Sequence, residues 1–175
     1  FAGGFGAQNQ GSISGSAPTG AVSSTNGDVT LGGFAGFNAG SIVNSFASGN
    51  ITATGAAHAM LGGFAGGNAR EITGSYATGN GTTNAAEALA GGFVGANTGR
   101  IDLSFAKGTV SVGNNSVVGG FVGFNFGDIN QAYAIGAVTG GDNSHVGGFA
   151  GLNLAYEFST MVAFSEGGDN SFGSG

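Results

Sequence analysis

The 175-residue sequence predicts an all-β fold, a right-handed parallel β-solenoid (β-helix) of six coils of 28–30 residues each. Three observations predict it. Gly-Gly-Phe recurs six times, with its ring at Phe5, Phe34, Phe64, Phe93, Phe121 and Phe149, at intervals of 29, 30, 29, 28 and 28 residues. Asn follows four residues after every ring, at Asn9, Asn38, Asn68, Asn97, Asn125 and Asn153. No insertion interrupts the chain from each ring to the seventeenth residue beyond it, so length variation falls in one linker, as stacked coils require.

Period decides between strand and helix. Eight residues after the ring stands Ile13, Ile42, Ile72, Ile101 or Ile129, and twelve after it Phe46, Tyr76, Phe105 or Tyr133. Even offsets follow the two-residue period of a strand. Helix is further opposed by the 40 glycines, since each interior Gly costs about 1 kcal/mol relative to Ala. The phase becomes odd at offset seventeen, held by Val22, Ile51, Gly81, Val110 and Val138. The switch predicts a corner at the AxG segment, as in Ala47-Ser48-Gly49 and Ala106-Lys107-Gly108.

Each coil is thus expected to carry short strands near GGFxG, IxxS[FY]A and xVxG. Turns are expected at NxG, at AxG and in the linker. Phe, Ile and offset-twelve aromatic columns are expected to fill the interior, with Gly supplying positive φ at corners. The solenoid is expected over residues 1–153. Residues 154–175, which include Tyr156, Phe158, Met161, Val162 and Phe164, read as a divergent cap or contact segment.

Composition excludes several functions. Three basic residues, Arg70, Arg100 and Lys107, stand against nine acidic ones, too few to neutralise a nucleic-acid backbone, so nucleic acid is not an expected partner. Apolar runs are broken by Gly, Asn and Ser, so no membrane insertion is expected. Zero Cys excludes disulfides, thiolate catalysis and Cys-ligated metals. The chain opens at Phe1 with no basic and apolar leader, so it reads as a piece of a longer protein whose export signal is removed or lies upstream.

The tetrads Gly33-Phe34-Ala35-Gly36, Gly63-Phe64-Ala65-Gly66, Gly92-Phe93-Val94-Gly95, Gly120-Phe121-Val122-Gly123 and Gly148-Phe149-Ala150-Gly151 resemble the GLUG repeat. The resemblance extends over the whole unit, roughly residues 3 to 153. It implies a parallel β-solenoid from a large secreted bacterial surface protein, similar in kind to filamentous-haemagglutinin-type adhesins. Departures are Ala7 and Ala17 in the first copy, Arg70 at a corner Gly in the third, and Glu157 at the Ile position of the sixth.

Candidate residues are mostly structural. The Asn column is expected to hydrogen-bond side chain to side chain and cap the NxG turn, and Ser16, Ser45, Ser75 and Ser104 read as corner hydroxyls. His58 and His145 lie three repeats apart in linkers. Asp28, Asp142 and Asp169 each give a loop one carboxylate, where calcium needs about 6–8 oxygens. Asp102 and Asp128 sit on neighbouring coils with no nucleophile and base beside them. No catalytic, metal or cofactor site is assigned. Asn50, Asn80 and Asn114 open Asn-x-Ser/Thr triplets. The outward offsets three and five carry Phe37, Phe124, Phe126, Leu152 and Leu154, a candidate self-contact surface.

The leading functional expectation is a non-enzymatic secreted adhesin or matrix protein at the cell surface, self-associating or touching other surface components, glycans among them. A self-assembling filament subunit is the second. An ice-binding solenoid ranks last, because Thr52, Thr54, Thr78, Thr82 and Thr83 read as scattered.

Overall fold

The computed structural model describes residues 1–25, 27–155, 161–165 and 170–172. Among these residues there is no helix, and every paired strand runs parallel to its partners. The second coil illustrates the unit: Val29–Gly32, Ala35–Asn38, Ser41–Val43 with Phe46–Ala47, and Ile51–Ala53. Each segment pairs with its counterpart one coil away, which builds four sheets along the stack. The first, second and fourth sheets each contain six strands. In the third, two strand columns merge at Asp128–Ala134. The protein is a parallel β-solenoid.

Two apolar cores run its length. One stacks the Gly-Gly-Phe rings with the Ile column, Ala47, Ala77, Ala106 and Ala134, and the other gathers Leu31, Leu61, Ile51, Val110, Val118 and Val138. Phe34, Phe64, Phe93 and Phe121 are fully buried, with successive centroids 4.8 Å apart and planes within 15°. Phe5 and Phe149 extend the same stack, Phe5 being 53% exposed at the first coil. Such offset-tolerant stacking adds to the area each ring buries.

The glycines of the repeat have a reason other than positive φ. A Cβ added to Gly33, Gly63, Gly92 or Gly120 would overlap the carbonyl oxygen of the equivalent Gly in the next coil. The corner glycines Gly49, Gly79, Gly108 and Gly136 are likewise closed by the equivalent Gly of the preceding coil. Backbone contact between coils, not left-handed geometry, selects Gly at these positions. Left-handed residues sit instead in the linkers, at Gly27, Gly55, Glu87, Asn115 and Asn143, and ten after the ring, at Gly15, Asn44, Gly74, Leu103 and Gln131, with φ from 48° to 60° in this second set.

That corner corrects the placement of the offset-twelve aromatics. It reverses the phase before they are reached, so Ala47, Ala77, Ala106 and Ala134 enter the core. Phe46, Tyr76, Phe105 and Tyr133 stack on the outside. Their centroids are 4.7–5.0 Å apart, and Lys107 Nζ lies 5.3 Å from the Phe105 ring. The interior expected of them is filled by alanine.

Where it is described, the C-terminal segment continues the stacked sheets. Met161–Ser165 adds to the third sheet with Met161 in register with Ile129, and Asn170–Phe172 adds to the fourth sheet beside Val138–Gly140. A longer connection therefore brings Met161, rather than Glu157, to the Ile register. Tyr156, Glu157 and Phe158 lie outside the described residues.

Phe93→Ala is expected to cost about 3–5 kcal/mol, because a void opens in a stack closed on both faces. Gly92→Ala should cost about 1–3 kcal/mol or more by forcing neighbouring coils apart. Denaturant unfolding of both variants checks this, and a loss under about 1 kcal/mol for Phe93→Ala would place its ring outside the core.

Candidate functional site

Asparagine ties the coils together. Nδ2 of Asn9, Asn38, Asn68, Asn97 and Asn125 donates to Oδ1 of the next coil's Asn, at 2.8 Å in all five steps. Each also closes its own turn: Asn38 Oδ1 accepts from Gly40 N at 3.2 Å while Asn38 Nδ2 donates to Gly40 O at 3.0 Å. Asn9, Asn38, Asn68, Asn97 and Asn125 are buried, and Asn153 is exposed in the sixth coil. The carboxamide suits this position because it carries a donor and an acceptor on one planar group.

Serine works the same way at the left-handed corner. Ser45, Ser75 and Ser104 are buried, and each Oγ accepts a backbone N–H from the preceding coil at 3.2–3.3 Å. Each donates to the carbonyl two residues back, as Ser104 Oγ does to Asp102 O at 2.8 Å. With both hydroxyl functions engaged and no imidazole beside them, these serines are inter-coil ties rather than nucleophiles. Asn50 and Asn80 cap exposed strand starts, their Oδ1 accepting from Asn80 N and Thr109 N at 2.9 Å. Asn114 Oδ1 accepts from Asp142 N at 2.9 Å.

The linkers bring Asp28, His58 and Glu87 together, although they are 29 to 59 residues apart in the chain. His58 Nδ1 lies 3.0 Å from Asp28 Oδ1 and Nε2 lies 3.4 Å from Glu87 Oε2. They rim a cleft of about 250 Å3 whose floor includes Thr30, Met60 and Leu89. The Asp28 hydrogen bond and charge, with a smaller contribution from Glu87, raise the imidazole pKa. Because the two ring nitrogens diverge, the carboxylates lie on opposite edges of the ring. Among the described residues no group of three or more His, Asp or Glu is arranged to hold a metal ion. His145 lies far along the stack, exposed and in register with Val117. Asp169 lies outside the described residues.

A second charged set crosses the third sheet. Arg100 pairs in register with Glu71 on one side and Asp128 on the other, and its Nε donates to Asp102 Oδ2. Asp102 and Asp128 therefore flank one guanidinium rather than facing a common substrate. Asp102 is buried, and neither its Oδ1 nor the Thr73 hydroxyl in register with it has a hydrogen-bond partner among the described residues.

Three of the contact residues, Phe37, Phe124 and Leu152, share one column, and Phe126 and Leu154 follow it two residues on. Gln8, Phe37, Gly67, Ala96, Phe124 and Leu152 are in register, so the column is apolar from the second coil to the sixth. Phe37 leans toward Phe1, at 5.7 Å between centroids. Phe124 meets Phe126 edge to face at 4.7 Å, with Phe126 40% and Leu154 48% exposed. The outer aromatic ladder went unforeseen in the sequence. The Ala at offset thirteen in copies two to five, small enough for a crowded core, was its available signal.

Two outcomes are expected. The raised His58 pKa means that its pairing favours the folded state below the ordinary imidazole value, and the benefit fades as pH rises through the raised one. Asp28→Asn should return the NMR titration midpoint of His58 toward an ordinary imidazole. Asn97→Asp should cost about 2–5 kcal/mol at neutral pH, because carboxylate oxygen would face Asn125 Oδ1 and Gly99 O. Part of that loss should return in mild acid, where a protonated carboxyl can donate again. Unfolding at the two pH values reads it.

Comparison with protein-family models, with curated proteins and with solved structures finds no match for this chain.

Proposed function

We propose that this chain is a non-enzymatic structural and adhesive rod, a segment of an exported bacterial surface or matrix protein that acts by contact through its sides. The observation that carries the reading is the commitment of the buried Asn and Ser side chains to inter-coil bonds, which leaves the outward columns as contact surfaces. The resemblance of the repeat to GLUG units supports export and adhesion. The apolar side column ending in Phe124, Phe126, Leu152 and Leu154 supports self-contact.

A filament subunit is the second reading. The bulky apolar residues gather in coils five and six while the first coil carries Gln8 and Gln10, so a contact between unlike parts would be heterologous, the kind that builds an open filament when its rotation does not close a ring. Electron microscopy of the purified chain separates short rods from fibres.

Phe124→Ser with Phe126→Ser is the test. The parent chain should associate with rising concentration and coat surfaces, and association should persist or strengthen at high salt, since only 12 formal charges exist. The double variant should stay folded and lose both properties. Unchanged size and surface retention in the variant would remove this column as the contact surface, and a parent chain that neither associates nor adheres would remove the adhesive reading.

A further inference from the structure

The fourth sheet aligns hydroxyls that look scattered in the sequence. Ser23, Thr52, Thr82, Ser111, Thr139 and Ser171 occupy one register position in six successive strands, with no shift between neighbours. In the first five coils this position faces outward, because the residue before it, Val22, Ile51, Gly81, Val110 or Val138, is buried in the second core. The hydroxyls of Ser23, Thr52, Thr82, Ser111 and Thr139 make no hydrogen bond to another described residue. The corner serines, by contrast, have theirs fully engaged.

The flanking positions extend the pattern. Two residues before the column stand Ala21, Asn50, Asn80, Thr109 and Ala137, and two residues after it Thr25, Thr54, Asn84, Gly113 and Gly141. None of these positions carries a charge or an aromatic ring. The column hydroxyls recur at about 4.8 Å along the rod, and six of the ten flanking positions, Asn50, Asn80, Thr109, Thr25, Thr54 and Asn84, carry a further amide or hydroxyl. The face is stiff, since it is backed by buried Ile51, Val110 and Val138 and joined by inter-coil hydrogen bonds.

We propose that this face binds ice. A rigid, uncharged column of hydroxyls repeating at one strand spacing, with further amides and hydroxyls on its flanks, holds a layer of ordered water that merges with the crystal surface. Charged side chains would impose their own hydration shells on that layer, and none is present in these columns. A crystalline polysaccharide would call for ring faces to stack on, and the fourth-sheet columns carry none: the outer rings lie beside the second sheet, at Phe37, Phe124 and Phe126, and on the third, where Phe46, Tyr76, Phe105 and Tyr133 stack on one another. The inference names a substrate for the rod proposed above and rests on that reading only in assigning action to the sides.

The test uses the purified chain in a growing ice film and in a frozen sucrose film, reading crystal shaping and inhibition of recrystallisation. The parent chain is expected to shape crystals and suppress coarsening. Thr52→Lys with Thr82→Lys, and separately Ser111→Lys, should lower that activity at least about tenfold, the loss expected when a central contact is removed. Thr98→Lys, at an exposed turn outside this sheet, should keep it. Circular dichroism and gel filtration establish that each variant folds. A parent chain that leaves ice growth unchanged overturns the proposal, as do folded variants with full activity. Surface retention above freezing is measured in parallel: its loss with ice activity intact counts against the adhesive reading alone, and the reverse counts against the ice face alone.

Discussion

One hydrogen bond, repeated, governs this molecule. The 2.8 Å contact from Nδ2 of one Asn to Oδ1 of the next has a direction, donor toward the later coil, and it forms only when successive carboxamides lie one strand spacing apart and in register. A slip of one residue would turn the side chain to the other face and leave a buried donor and acceptor unpaired, at about 1–3 kcal/mol each. The ladder therefore sets register for the four sheets as well as adding stability.

The other invariant positions follow from that spacing. Coils held this close leave no room for a Cβ at Gly63 or Gly92, and they bring Phe64 and Phe93 into stacking contact. Apolar burial drives the collapse, but it is indifferent to sliding along the rod. The directional ladders of Asn and Ser supply the order that stacking alone would not. Outside them the linker varies in length and carries the Asp28, His58 and Glu87 set, where exposed ion pairs contribute little.

Much of this order was legible in the sequence. Alignment on Phe34 and its counterparts exposed the Asn column and the parallel layers, because parallel stacking places identical residues above one another. The third sheet was harder to read. Its left-handed corner falls on Gly15 and Gly74 but also on Asn44, Leu103 and Gln131, so no residue type marks it. Missing that turn kept the phase even through Phe46 and Tyr76 and assigned outer aromatics to the core. The hydroxyl face was overlooked for a related reason: Thr52, Thr82 and Thr139 alternate with Ser23 and Ser111, and a search for Thr alone loses the column. In the sixth coil the longer connection before Met161 hides the register that pairing with Ile129 restores.

Side-chain amide hydrogen exchange, followed by NMR, tests the governing interaction most directly. If the carboxamides are joined through the stack, one Nδ2 hydrogen of each of Asn38, Asn68 and Asn97 should exchange at least about a hundredfold more slowly than those of exposed Asn50, in step with the opening of the coils. Exchange of the buried set at the rate of Asn50 would mean that the ladder is not made, and that stacking of the rings alone holds the coils in register.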